Sequence, residues 1–208
     1  MTDGGPAPEA LILGGPNGAG KTTSAAELVP PDLRFLDSDL IAARLVREGH
    51  PAAGLEVAAG RVLLGRVRET VATRESFCLE TTLAGRTVGR WIGEWQQAGY
   101  RVRLMFVALD DPDLAVRRVA GRVAGGGHDV PELLVRRRWA AGLRWLFDVC
   151  LPAVDAWLVI DNSAGDARPV AAGTRAQVAS RVIDPLRWSR LVGAAAGVGA
   201  VSAWRYGR

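Results

Sequence analysis

One residue type is almost missing from this chain. Of its 26 basic residues only Lys21 is a lysine; every other positive side chain is an arginine. That scarcity excludes GTP-dependent switches, whose guanine-reading N-K-x-D element needs a second lysine. Cysteine is nearly as rare. Cys78 and Cys150 stand far apart within apolar runs, so neither a disulfide framework nor a zinc spacing is present, and both are expected as buried free thiols. The opening MTDGGPAPEA lacks the basic and apolar regions of a secretory signal. The strongest late apolar run, Leu191–Trp204, is too short and too rich in Gly and Ala to span a bilayer. A cytoplasmic protein without membrane contact is therefore expected. The net charge of +4 is carried by arginines scattered over most of the chain rather than gathered into a stripe, so nucleic acid is not the expected partner.

What is present alternates regularly. Short apolar runs at Ala10–Leu13, Leu33–Leu36, Ser76–Glu80, Arg101–Leu109 and Ala156–Ile160 read as buried strands. Helical spacing runs over Thr22–Val29, Leu40–Arg47, Leu55–Thr73, Thr87–Ala98, Pro112–Ala124 and Pro131–Val149. The pattern predicts an α/β domain with about five parallel strands flanked by helices. It is expected over residues 5–180, with a helical lid at about 113–147 and a partly helical C-terminal tail over 181–208. The Gly/Ala/Pro-rich stretch at 164–173 reads as a linker. Trp91, Trp95, Trp139, Trp145 and Trp157 fall at apolar positions and are expected in the core. Ligands of parallel sheets bind at the carboxyl ends of the strands, where Asp37, Asp39, Glu80 and Asp161 are expected.

The most specific feature is Gly15-Pro16-Asn17-Gly18-Ala19-Gly20-Lys21-Thr22. It meets the phosphate-binding pattern G-x-x-x-x-G-K-[ST] at each fixed position, between an expected strand and an expected helix. Its glycines let backbone N–H groups curl around a phosphate chain, and the helix N-terminus adds partial positive charge. Lys21 reaches the β- and γ-phosphates as a compact point charge, a task for which a planar guanidinium is no substitute. Thr22 offers its hydroxyl to Mg²⁺, and Thr23 completes the cofactor-binding set. The expected cofactors are ATP and Mg²⁺, on a P-loop fold of the nucleotide-kinase type.

A small phosphotransferase needs further parts: an acid near the acceptor, an acid near the third strand, and arginines over the phosphates. In FLDSD, Asp37 and Asp39 both offer a carboxylate that accepts the proton of an acceptor hydroxyl. Asp39 also stands where a helix N-cap is expected. Glu80, followed by Thr81, is placed to serve acceptor or metal. Arg117, Arg118 and Arg122 lie before the loop GGGHD, and Arg136, Arg137 and Arg138 lie after it, as a helix–loop–helix lid requires. His128 in that loop reads as a structuring residue or a phosphate contact; His50 reads as an ordinary loop residue.

Five segments in order, GGPNGAGKTT, LDSDLIA, ETTLAGRT, RVAGGGHDVP with VRRRW, and DAWLVIDNS, resemble the zeta-toxin family of P-loop kinases over residues 10–163. The resemblance implies ATP-dependent phosphorylation of a sugar hydroxyl of UDP-N-acetylglucosamine. It implies Asp39 as the acceptor base, Glu80 and Arg86 at the substrate mouth, and Arg122 with Arg137 or Arg138 closing on the phosphates. It also raises an antitoxin protein as partner. The better-known toxins carry a glutamate on the helix before the third strand; the stretch AAGRVLLGRVRET offers Arg61 and Arg66 there and no evident acidic counterpart. A kinase of another metabolite or an antibiotic is the alternative acceptor reading. From a different class, a nucleotide-dependent RNA-binding module would show a steep loss of affinity with salt.

Overall fold

The apolar run at the start of the chain forms β1 (Glu9–Gly14), buried from Ala10 onward, as a strand covered on both faces must be. The computed structural model describes residues 6–125, 127, 129–175 and 177–197. In chain order, β1 is followed by α1 (Lys21–Leu28), β2 (Arg34–Leu36), α2 (Ser38–Arg47), α3 (Leu55–Ala72), β3 (Phe77–Thr81) and α4 (Thr87–Gln97). Then come β4 (Arg101–Ala108), α5 (Pro112–Ala124) and α6 (Glu132–Trp145), which runs through a π-helical turn at Leu146–Cys150 into the short α7 (Leu151–Ala153). The chain continues as β5 (Ala156–Asp161), β6 (Arg168–Thr174), β7 (Gln177–Val182) and α8 (Pro185–Gly197).

The sheet order is β2-β3-β1-β4-β5-β6-β7. The first five positions are parallel, as expected; β6 and β7 add an antiparallel extension. After β1 the chain leaves toward β2, and after β3 it leaves the other way toward β4. Neighbouring strands whose connections diverge leave a crevice at their carboxyl ends. Here that crevice lies between the ends of β1 and β3.

The five expected parallel strands belong to a sheet of seven among the described residues, and one expectation needs correction: the stretch read as a linker contains most of β6. Its small residues serve packing: a Cβ on Gly173 would lie 2.4 Å from the Trp157 ring. On that ring α8 stacks Trp188, with centroids 5.8 Å apart and planes at 6°, while Phe147 meets Trp188 edge-on at 5.3 Å. Part of the expected tail is thus β7 and a docked helix; residues 198–208 lie outside the described residues.

Trp95, Trp139 and Trp157 are buried as expected, whereas Trp91 and Trp145 are only half-buried. Cys78 and Cys150 are buried and free, and burial pushes both thiols up to about 12, which leaves them unreactive. Among the described residues, no helix is long and apolar enough to cross a membrane.

Candidate active site

The phosphate loop joins β1 to α1 through backbone that side chains would obstruct. A Cβ on Gly15, at φ 149°, would sit 2.4 Å from the Val107 carbonyl oxygen on β4. Gly20 caps α1 in the left-handed region at φ 81°. No side chain caps α1 and no acid stands in its first turn, so its N-terminal partial charge remains available to an anion.

Lys21 is buried at the first position of α1. Its Nζ donates to the Pro16 carbonyl at 3.1 Å and lies 3.5 Å from Glu80 Oε1. Burial lowers its pKa, an effect opposed first by Glu80 and then by Asp39 and Asp37. The Thr22 hydroxyl donates to the other oxygen of Glu80 at 3.2 Å. Glu80, at the end of β3, therefore bridges the lysine and the threonine of the phosphate loop. Two hard oxygen donors side by side, Thr22 Oγ1 and Glu80 Oε2, suit Mg²⁺, which takes few protein ligands beside phosphate and water. No group of three or more His, Cys, Asp or Glu placed to hold a metal occurs among the described residues.

Asp37 and Asp39 stand in different surroundings. The N-cap, the alternative reading for Asp39, falls to Asp37: α2 starts at Ser38, and Asp37 Oδ1 accepts from the Asp39 N–H at 2.7 Å. Asp37 is buried, and its carboxyl is pushed up to about 6, first by burial and then by the negative charge of Glu80. Asp39 sits in the first turn of α2 with its side chain exposed, on the wall of a cavity of about 580 Å³.

That cavity runs from the phosphate loop to α2, α3 and α4. Asn17, Lys21, Asp37, Asp39, Glu80 and Thr81 line one part, and an apolar recess of Leu63, Leu64, Val88 and Trp91 lines another. Glu56 and Arg61 of α3 face it as well. Glu56 escaped the sequence reading because it precedes the stretch in which an acid was sought; its place in the first turn after the Gly54 cap was the available signal.

The arginines of α5 and α6, expected over the phosphates, divide. Arg138 lines the cavity, whereas its neighbour Arg137 is exposed and not among the lining side chains. Arg136 ties α6 to α5 through Asp113 at 2.5 Å and pairs within α6 with Glu132 at 2.7 Å. Arg118 donates to the carbonyls of Asn162 and Ser163 at 2.8 and 3.0 Å, so it braces the loop after β5. Arg117 and Arg122 are exposed on α5, and Arg86 is exposed at the start of α4, between the cavity-lining Gly85 and Thr87. His50 is exposed, and His128 lies outside the described residues.

Residues 11–147 match the family described as AAA domain, and the chain belongs to that family. It is 26% identical over 131 residues to an uncharacterized protein of Haemophilus influenzae, covering 63% of this chain and 92% of that protein. Among solved structures, the AvrRxo1-ORF1:-ORF2 complex with ATP superposes with a TM-score of 0.70 at 16% identity, over 90% of this chain; the match spans only 64% of that chain. The PezAT chromosomal toxin–antitoxin system of Streptococcus pneumoniae superposes with a TM-score of 0.61 at 17% identity, covering 95% of this chain and 91% of that one. The fold is thereby the P-loop kinase-like α/β fold, a mostly parallel sheet flanked by helices.

Proposed function

We propose that this member of the AAA domain family is an ATP-dependent phosphotransferase of zeta-toxin type that acts in the cytoplasm. It moves the γ-phosphate of ATP to a hydroxyl of a small molecule, with UDP-N-acetylglucosamine as the first-choice acceptor. The observation that carries this reading is the meeting of Lys21, Glu80 and Asp39 on one cavity of about 580 Å³, a volume suited to a metabolite.

Lys21 exchanges its Glu80 partner for the β- and γ-phosphates, which the loop residues Gly15–Gly20 and the N–H groups of Thr22 and Thr23 surround. Glu80, released from Lys21, stays beside Thr22. Thr22 would hold Mg²⁺, and the ion would supply neutralisation of phosphate charge when bound. Asp39 accepts the proton of the acceptor hydroxyl as the oxygen attacks phosphorus; its carboxylate is not spent on capping, unlike that of Asp37. Thr81 and Glu56 orient the acceptor from the cavity wall, and Arg86 flanks its entrance. Arg138 stabilises charge on the transferred group, and Arg122 joins it if the lid swings inward. Arg137, on the exposed face, is assigned no contact with phosphate.

The structural neighbours, one solved with ATP and one a toxin–antitoxin system, support ATP as phosphate donor and an antitoxin protein as partner. Incubating the protein with Mg²⁺, ATP and a metabolite extract, with UDP-N-acetylglucosamine added in a parallel arm, and following phosphorylated products by mass spectrometry tests the reading. A new phosphomonoester of the added sugar nucleotide supports it. A product only in the extract arm replaces the acceptor while keeping the phosphotransferase.

A further inference from the structure

The DNS segment after β5 (Asp161–Ser163) is not among the cavity-lining residues, yet it touches the phosphate loop. We infer that Asn162 is a positioning residue for the phosphate loop, holding the last turn of that loop in its phosphate-receiving shape through the Ala19 carbonyl. The inference rests on the phosphate-binding reading of residues 15–22.

Asn162 is only 8% exposed. Its Nδ2 donates to the Ala19 carbonyl at 2.8 Å, across a sequence separation of 143 residues. Only the amide N–H can serve a carbonyl, so the orientation of the side chain is fixed. Its Oδ1 points away and, although buried, has no hydrogen-bond partner among the described residues. The next residue fits the same contact: a Cβ on Gly20 would lie 2.6 Å from Asn162 Nδ2.

The consequence follows from peptide geometry. In a planar trans peptide the C=O and the N–H point in opposite directions. Anchoring the Ala19 carbonyl to Asn162 therefore aims the Gly20 N–H away from Asn162. A flip of that peptide would exchange a donor for a carbonyl oxygen on the side where the loop receives negative charge.

Asn162 is itself held from several elements. Its N–H donates to the Ala108 carbonyl at the end of β4 at 3.1 Å, and its carbonyl accepts from Arg118 of α5 at 2.8 Å. Asp161 beside it accepts from the Ser163 hydroxyl at 2.5 Å and lies 3.4 Å from Arg187 of α8. Arg187 also pairs with Asp110. The strut thus connects the loop to α5 and to the C-terminal helix, which lies beyond the residues that match the family.

Inorganic tripolyphosphate is the probe, because it reads the phosphate loop without the nucleoside. Its affinity for the full chain, measured by calorimetry below the melting temperature of each variant, should fall about tenfold in Asn162→Ala, the factor that corresponds to one lost buried hydrogen bond of about 1.4 kcal/mol. Ser163→Ala, which removes two hydrogen bonds from the same loop, to Asp161 and from the Asp110 N–H, without touching Ala19, should lower the melting temperature and leave the affinity unchanged. Wild-type affinity in a folded Asn162→Ala protein, or an equal loss in Ser163→Ala, overturns the inference. Should the alanine variant not fold, Asn162→Asp carries the same test: it keeps the shape but offers only acceptor oxygens to Ala19, and undiminished affinity overturns the inference. Absence of tripolyphosphate binding by the wild type would instead overturn the phosphate-loop reading beneath it.

Discussion

Replacing Asp37 and Asp39 one at a time separates a buried helix cap from a base. In Asp37→Asn the amide oxygen still accepts from the Asp39 N–H, so the cap survives. What disappears is a buried negative charge beside Glu80. The Asp37 carboxyl stands at about 6 in the folded chain against an ordinary 3.8. A difference of about two pH units is a penalty of about 3 kcal/mol on the charged form at neutral pH. The sign is set by proton binding: the folded chain holds this proton more tightly than the unfolded chain. The contribution of Asp37 to stability is therefore fully present below about pH 4 and is lost as pH rises through 6. Asp37→Asn should gain about 2–3 kcal/mol over the wild type at pH 7.5 and almost nothing at pH 4, read from urea unfolding at both values. Its turnover should stay within a few-fold of wild type, with ATP bound as well or better. Asp39→Asn should instead cut turnover by about 10²–10⁴ with ATP affinity kept. A stability difference that does not change with pH would refute the burial argument. Loss of turnover in Asp37→Asn but not in Asp39→Asn would exchange the two roles.

Three further outcomes are expected. Lys21→Ala should bind ATP weakly and transfer no phosphate while remaining folded; near-normal turnover would remove the phosphate-loop assignment. Arg138→Ala should lower turnover by about 10²–10³, with Arg137→Ala and Arg144→Ala nearly neutral; equal losses in all three would show that facing the cavity is irrelevant. Trp188→Ala should destabilise by about 3–5 kcal/mol in urea unfolding, because the ring lies between Trp157 and Phe147; an unchanged midpoint would make α8 an appendage.

Legibility in the sequence followed from how narrowly each position is constrained. The phosphate loop was readable because Gly15 and Gly20 occupy backbone that other residues rarely adopt, and because Lys21 stands alone among arginines. The parallel strands were readable as apolar runs because both of their faces are covered. β6 was not: Pro169 pairs with Ile160 where the register shifts, a place that tolerates proline, and Gly173 makes room for Trp157. Those residues imitate a linker. In the site, a helix start two residues earlier than expected moved the cap from Asp39 to Asp37. Arg137 and Arg138 differ only in helix phase, about 100° per residue, which the run of three arginines conceals. The contact between Asn162 and Ala19 joins the two ends of the domain, and no local pattern announces it.

The central claim is that this site delivers a γ-phosphate to a hydroxyl held in the cavity beside Asp39. Terminally labelled ATP, supplied with Mg²⁺ and UDP-N-acetylglucosamine, tests it most directly through the chemical form in which the label emerges. The account predicts label in a phosphomonoester of the sugar nucleotide, made by the wild type and not by Lys21→Ala. Label appearing solely as inorganic phosphate, at a rate that neither the acceptor nor Asp39→Asn alters, would contradict it.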